Sequence, residues 1–402
     1  MFLADRKVVL AMVWWFFVPK MVFGEDALSE LELVKGEKGI IITDEVIDGF
    51  GFPEKVRKIL EGNGWQVKVW KDAEPDPRVA VVKSAAKAMQ EFEADTIIAI
   101  GGGSVMDTAK AAWVLYAKPE MSLEALSPFD TLGLKEKASL ICIPTTAGTG
   151  SEATRAIVVR EDESGRKFAT TNPELMADMA ILEPTFVKDL PMILTANTGL
   201  DALTHAVEGY TSVWKNDFSD AVTMKAVQIV FEWLPKSMEN LNDLEAREKM
   251  LVAAALAGMS FSNSQVCLAH SLGHSLGSVL RVQHGMAVGM ALPYTIEFIA
   301  HDNPDSAKHY WELGRLIGID ERDHAKAARL FAKKIRELQD QVGFPRSLKA
   351  AGIKKEAFDN GLETLVDFAM MDSSITMTPR SIEAAEIKKI YEYMYEGKEI
   401  DF

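Results

Sequence analysis

Two hydrophobic rhythms divide the chain. Up to residue 190, short β-branched apolar runs alternate with stretches of helical spacing. Residues 39–43 predict a strand, and residues 52–61 follow with apolar positions at helical intervals. Residues 66–70 alternate as a half-buried strand does, and 79–92 predict a helix. Residues 96–100 and 139–143 are unbroken apolar runs of the kind covered on both faces of a sheet. Residues 19–24 are also strand-like, whereas the polar, proline-containing stretch 118–137 predicts a loop. Strands alternating with helices imply a parallel sheet with helices on both faces. Beyond residue 191 the strand signals nearly vanish, and Ala/Leu/Met-rich helices are predicted over 195–210, 219–234, 244–259, 325–342 and 382–394. The expected plan is an α/β half over 1–190 and an all-α half over 191–402, with ligands in the cleft between them. No internal repeat is visible.

The length of 402 residues agrees with two domains rather than one core. A net charge of −15 would repel phosphates, which argues against nucleic acid or an anionic membrane as partner. Cys142 and Cys267 make neither a disulfide framework nor a Cys-x-x-Cys zinc motif, and a reducing cytoplasm fits best. Asp5-Arg6-Lys7 before the apolar run 8–18 imitates a secretory signal. No small-x-small cleavage site follows, and the run falls short of the about 20 residues a membrane span needs. It reads as a leader running into a first strand.

Polar residues in the apolar second half change the picture most. Four of the seven histidines are His205, His270, His274 and His284, and Asp201 precedes His205 by one helical turn. Residues four apart share a helix face, so one helix can aim a carboxylate and an imidazole at one point while neighbouring segments add imidazoles. An Asp-x-x-x-His pair is common by chance. Here, however, all three segments lie in small-residue apolar text, where uncompensated polar groups are expensive to bury. An oxygen and nitrogen donor set without sulfur suits Fe(II), Zn(II) or a similar ion. Glu208, near His205, is either an outer partner that orients a ligand or a surface acid.

Two loops at strand ends carry the other signal. Gly101-Gly102-Gly103-Ser104 follows the strand ending at Ile100. Glycines admit a close ligand, Ser104 is a natural N-cap, and Asp107 could reach back to the cap. A helix N-terminus there favours a phosphate, although a tight strand–helix turn would use the same residues and the Gly-x-Gly-x-x-Gly fingerprint is absent. Pro144-Thr145-Thr146-Ala147-Gly148-Thr149-Gly150-Ser151-Glu152 follows the next strand. Two such loops in one parallel sheet favour a dinucleotide. Asp44 is either a ribose acceptor or a solvated turn acid.

With these motifs in order, the chain resembles the iron-containing (group III) alcohol dehydrogenase family, over nearly its whole length. The likeness rests on Gly101 to Ser104 with Asp107, on residues 144–152, on Gly199 to Tyr210 around Asp201 and His205, and on the His270/His274/His284 block. It implies a Rossmann-like α/β N-terminal domain, an all-α C-terminal domain, and a metal and a nicotinamide between them. Asp201, His205, His270 and His284 match the family's metal ligands, and His274 matches a histidine near the substrate, here the candidate proton relay. Gly101, Gly102, Gly103 and Ser104 match the pyrophosphate loop; Asp107, Thr145, Thr146, Thr149 and Lys167 match nucleotide contacts; Phe261 matches a substrate-pocket aromatic. Gln283 and Ala156 depart from the usual residues, which bears on substrate rather than metal. The resemblance implies Fe2+, with Zn2+ as the alternative, and NAD or NADP. It also implies a small alcohol or aldehyde as substrate and a homodimer. A dehydroquinate-synthase-like or glycerol-dehydrogenase-like zinc enzyme is the alternative on this fold. The former should carry many Lys and Arg residues at its site, whereas the ligand segments here contain only Arg281.

Overall fold

The computed structural model describes residues 15–163 and 165–402, so the leader expected over residues 1–14 lies outside the described residues. Strands β1 (Lys20–Phe23), β2 (Lys38–Ile42), β3 (Gln66–Trp70), β4 (Thr96–Gly101) and β5 (Ser139–Pro144) fall where the apolar runs predict them. Three further strands follow. β6 (Ala156–Arg160) and β7 (Lys167–Thr171) form an antiparallel hairpin, and β8 (Met179–Leu182) joins the main sheet. That sheet has six strands, parallel throughout, in the order β1-β8-β5-β4-β2-β3.

Helices α1 (Glu45–Gly49), α2 (Phe52–Gly62), α3 (Val79–Phe92), α4 (Gly103–Ala117) and α5 (Leu134–Lys137) lie between these strands. Alternation along each strand serves two layers. Ile40 and Ile42 of β2 and Ile97 and Ala99 of β4 pack with Val82 and Met89 of α3 and Met106 and Trp113 of α4. Ile41, Ile98 and Ile141 face the opposite layer with Val56 and Leu60 of α2. From β2 the chain steps outward to β3, then crosses back to β4 and runs the other way through β5. The order therefore reverses between β2 and β4, and the crevice at their carboxyl ends is where such sheets bind ligands.

The C-terminal domain is helical: α6 (Met192–Thr211), α7 (Asp217–Glu239), α8 (Leu244–Ser264), α9 (Leu268–Leu280), α10 (His284–Ala300), α11 (Pro304–Leu316), α12 (His324–Gln341), α13 (Lys355–Met371) and α14 (Ala384–Glu396). Every residue of α6 from Thr195 onward is buried. A helix covered on all sides sits at the centre of its bundle, which makes α6 a rigid mount for whatever side chains it carries. Among the described residues no single helix is long and apolar enough to cross a membrane. Both cysteines are unpaired and buried.

The two domains interlock at a pair of glycines. Gly150, in the loop after β5, has φ +60°, and a Cβ there would lie 2.5 Å from the Ala254 carbonyl oxygen of α8. A Cβ on Gly258 would in turn lie 2.4 Å from the Gly150 oxygen. Backbone on both sides leaves nowhere for a methyl group. Gly258→Ala should cost ~1–3 kcal/mol through overpacking and lower Tm by a few degrees in a thermal scan; an unchanged Tm would show that the loop and α8 separate freely.

Candidate metal centre and nucleotide cleft

Asp201 and His205 stand one turn apart on α6, His270 lies in the first turn of α9, and His284 opens α10. One ligand atom from each of the four falls within 4.8 Å of all the others. Asp201 Oδ1 lies 3.7 Å from His205 Nδ1 and 3.6 Å from His284 Nε2. Donors about 2.1 Å from a tetrahedral ion are about 3.4 Å apart, so these spacings fit a shared cation. The hydrogen-bond ledger points the same way. Asp201 Oδ1, His205 Nδ1 and His270 Nε2 are buried with no partner among the described residues, a cost that native interiors avoid unless something else satisfies the atoms.

Electrostatics suit the same occupant. Burial pushes the Asp201 carboxyl up to about 8. Burial, and next the charge a neighbouring imidazole would carry, pushes His205 and His270 well below the usual imidazole range. Neutral imidazoles are the form that binds metal.

Glu208, left open as a surface acid by the sequence, is buried and bonded to His270: its Oε2 lies 2.6 Å from Nδ1. The same carboxylate accepts from the Cys267 and Ala269 amides at the start of α9, at 3.0 and 2.5 Å. Burial pushes Glu208 up to about 7 against the pull of those amides. The His270 ring is thus anchored at Nδ1 and left with Nε2 facing the other donors. Phe261 stacks on His205 with centroids 4.3 Å apart, and gives the donor cluster an apolar wall.

His274 stands beside the four without joining them. Its ring stacks on His284 at 5.4 Å and meets His270 edge-on at 5.8 Å. Its Nδ1 lies 2.8 Å from Oδ2 of Asp372, in the turn after α13. Burial raises the Asp372 carboxyl, but the hydrogen bond from His274, and the charge that ring carries whenever it is protonated, outweigh burial and hold the group at about 2.

The two strand-end loops meet beside the sheet's switch point. Thr145 donates its amide to the Gly101 carbonyl (3.0 Å), which ties the second strand-end loop to the first. Thr146 faces Gly102, Thr149 faces Gly103, and Gly148 packs on Thr198 of α6, one turn before Asp201. Loop and donor cluster therefore share one helix. Asp44, at the end of β2, caps α1 by accepting from the Ile47 amide at 2.9 Å. Lys167, at the start of β7, pairs with Asp76 at 2.6 Å.

Two local expectations are corrected. Ser104 is not the N-cap of α4; Gly102 holds that place and makes no side-chain cap. The glycine run enters the helix two residues earlier than a serine cap would, which leaves the first amides uncapped by the chain. The Ser104 hydroxyl accepts from the Asp76 amide at 3.3 Å. Asp107 does not reach back to the cap either: it accepts from the Ser151 hydroxyl at 3.0 Å and from the Val158 amide at 3.1 Å. Burial pushes it up to about 6.

Two residues that the sequence reading gave no role belong to this region. Fully buried Lys110 donates to the carbonyl oxygens of Ser151 (2.6 Å) and Thr154 (2.8 Å), clamping the end of the threonine loop. Its place three residues after Asp107, on one face of α4, was the available signal. Asp372 had none, since 98 residues separate it from His274.

A parallel sheet with two small-residue loops at its switch point, facing a buried Asp/His cluster on a helical domain, defines a class: a nucleotide-linked metalloenzyme fold. Residues 19–184 match iron-containing alcohol dehydrogenase, and residues 195–395 match the Fe-containing alcohol dehydrogenase family, C-terminal. The chain is 35% identical over 390 residues to the NADPH-dependent butanol dehydrogenase of Clostridium saccharobutylicum, covering 96% of this chain and 99% of that protein. It is also 35% identical to aldehyde-alcohol dehydrogenase 2 of Entamoeba histolytica, over 98% of this chain but only 47% of that protein; the chain spans about half the length of that relative. Among solved structures, an iron-containing alcohol dehydrogenase from Thermococcus thioreducens superposes with TM-score 0.87 at 31% identity, covering 96% of this chain and all of that one. The chain belongs to the iron-containing alcohol dehydrogenase family and is an oxidoreductase.

Proposed function

We propose that the chain catalyses reversible hydride transfer between small to medium primary alcohols, or their aldehydes, and a nicotinamide dinucleotide. The observation that carries this reading is the set of three buried donor atoms on Asp201, His205 and His270 that have no partner among the described residues, beside the loop that links them to the crevice at β2 and β4. A divalent iron or zinc ion held by Asp201, His205, His270 and His284 would supply Lewis acidity toward the alcohol oxygen, and a bound nicotinamide would accept the hydride. Glu208 keeps His270 in the Nδ1–H form, the usual task of a carboxylate behind a metal-binding imidazole. Phe261 excludes water from the pocket side of His205 and favours an apolar substrate chain. His274, half-open to solvent, takes up or returns the hydroxyl proton at Nε2. The amides opening α4 at Gly103 and Ser104 receive the diphosphate.

The acid at Asp44, followed by Glu45 and Asp48, would repel a 2′-phosphate and favours NAD; the NADPH-dependent relative makes NADP the second cofactor to assay. Elemental analysis of the purified protein, followed by turnover of ethanol through hexanol and the matching aldehydes with each nucleotide, tests the reading. Bound iron or zinc with turnover of at least one alcohol supports it, and no turnover with either nucleotide overturns it.

Metal binding should depend on pH in a definite direction. With no cation present the Asp201 carboxyl sits at about 8, so below that pH an incoming ion must displace a proton. The imidazoles are already neutral and add little. Zinc affinity, measured by chelator competition, should therefore weaken by close to tenfold per unit as pH falls from about 7.5 to 6. A flat profile would mean that the carboxylate is ionised before the ion arrives.

A further inference from the structure

We propose that Asp372 is a positioning residue for the reaction: by accepting the Nδ1–H of His274 it fixes the tautomer and ring plane that leave the Nε2 lone pair facing the substrate hydroxyl beside the four donors. The inference rests on the alcohol dehydrogenase reading above. Its geometry is specific. Asp372 Oδ2 lies 2.8 Å from His274 Nδ1, and Oδ1 accepts from the Ser374 amide at 2.8 Å, so both oxygens have fixed partners. The carboxylate cannot swing away without uncapping the short 3-10 turn Ser373–Met377. An ionised carboxylate has no hydrogen to give, so in this contact Nδ1 is the donor. The neutral ring then keeps its proton at Nδ1 and its lone pair at Nε2. His274 is outside the group whose ligand atoms lie within 4.8 Å of one another, yet its ring stacks on His284. The free nitrogen is thus placed to meet a molecule at the donors rather than to hold the ion.

Asp372→Asn tests this with little change in shape. Because the Ser374 amide claims Oδ1, the new carboxamide turns its NH2 toward His274 Nδ1 and donates, which moves the ring proton to Nε2. In the zinc-loaded protein, kcat for 1-butanol oxidation should fall at least tenfold while zinc content and nucleotide affinity stay at wild-type values. Nitrogen-15 spectra of histidine-labelled zinc protein should show His274 protonated at Nδ1 in the wild type and at Nε2 in the variant. Adding His274→Ala to Asp372→Asn should cost no more than His274→Ala alone, since a residue acting only through His274 has nothing left to position. Wild-type His274 protonated at Nε2, an unchanged kcat in Asp372→Asn, or additive losses in the double variant would each overturn the proposal. If the wild type oxidises no alcohol, the alcohol reading falls by itself, while the wild-type spectrum still decides the tautomer without relying on any variant.

Discussion

His270→Ala should yield a folded protein with most of its metal gone and alcohol oxidation reduced by at least about a thousandfold. His270 is the member of the cluster with the most rigid support. Its Nδ1 is fixed by Glu208, its Nε2 is buried without a partner among the described residues, and the Glu208 carboxylate is itself pinned by two amides opening α9. Deleting the imidazole removes one of four donors and strands a buried carboxyl. The remaining three donors could keep only weak hold of an ion, and charge stabilisation worth several kcal/mol would go with it; three factors of ten correspond to about 4 kcal/mol. His274→Ala is the contrasting control. It lies in the same helix one turn on but outside the donor set, so it should retain stoichiometric metal while kcat falls by at least the tenfold expected of Asp372→Asn. Elemental analysis beside kcat separates the two. Stoichiometric metal with full activity in His270→Ala would remove the residue from the centre, and metal loss in His274→Ala would mean that the wrong imidazole was excluded.

The donor cluster could be read in advance because its determinants are local. Asp201 and His205 need only the helical repeat to share a face, and the small residues around all three segments announce burial. The sheet was legible for a related reason: runs such as Ile40-Ile41-Ile42 and residues 96–100 are covered on both faces and have no polar alternation to confuse them. What escaped depends on partners distant in sequence. β8 has four residues, Met-Ala-Ile-Leu, that suit a helix equally well, and becomes a strand only by docking between β1 and β5. β6 and β7 are held mainly by each other and by contacts to α4. α13 carries Asn360-Gly361 in its middle, which reads as a turn, and α10 runs through Pro293. Tertiary packing overrides both local signals. Ser104 was misplaced because a serine before a helical pattern is usually a cap, whereas here three glycines let the helix begin earlier. Asp372 shows the limit of a sequence reading: no spacing rule links it to His274, and only the fold brings α13 and α9 together.

Gly102→Val should weaken nucleotide binding by about a hundredfold while leaving metal content and fold intact. Gly102 is the N-cap of α4 in extended backbone, φ −81° and ψ −172°, a conformation that valine adopts readily, so no backbone strain is expected. The cost lies outside the backbone. A Cβ at Gly102 would sit 3.4 Å from Thr146 Cγ2, in ordinary contact, and the two further methyl groups of valine would project into the space between the glycine loop and the threonine loop. That space is where the proposed diphosphate approaches the uncapped amides of α4. Gly102→Ala, with a single carbon already in contact distance, should lose far less, and the ratio between the two variants measures how closely the ligand approaches. Titration of NADH or NADPH fluorescence, with elemental analysis on the same samples, gives both quantities. A hundredfold loss corresponds to about 2.8 kcal/mol, well above what a surface substitution produces. Equal affinities for wild type, Gly102→Ala and Gly102→Val would place the dinucleotide elsewhere and leave the triple glycine as a tight strand–helix turn, with the metal assignment untouched.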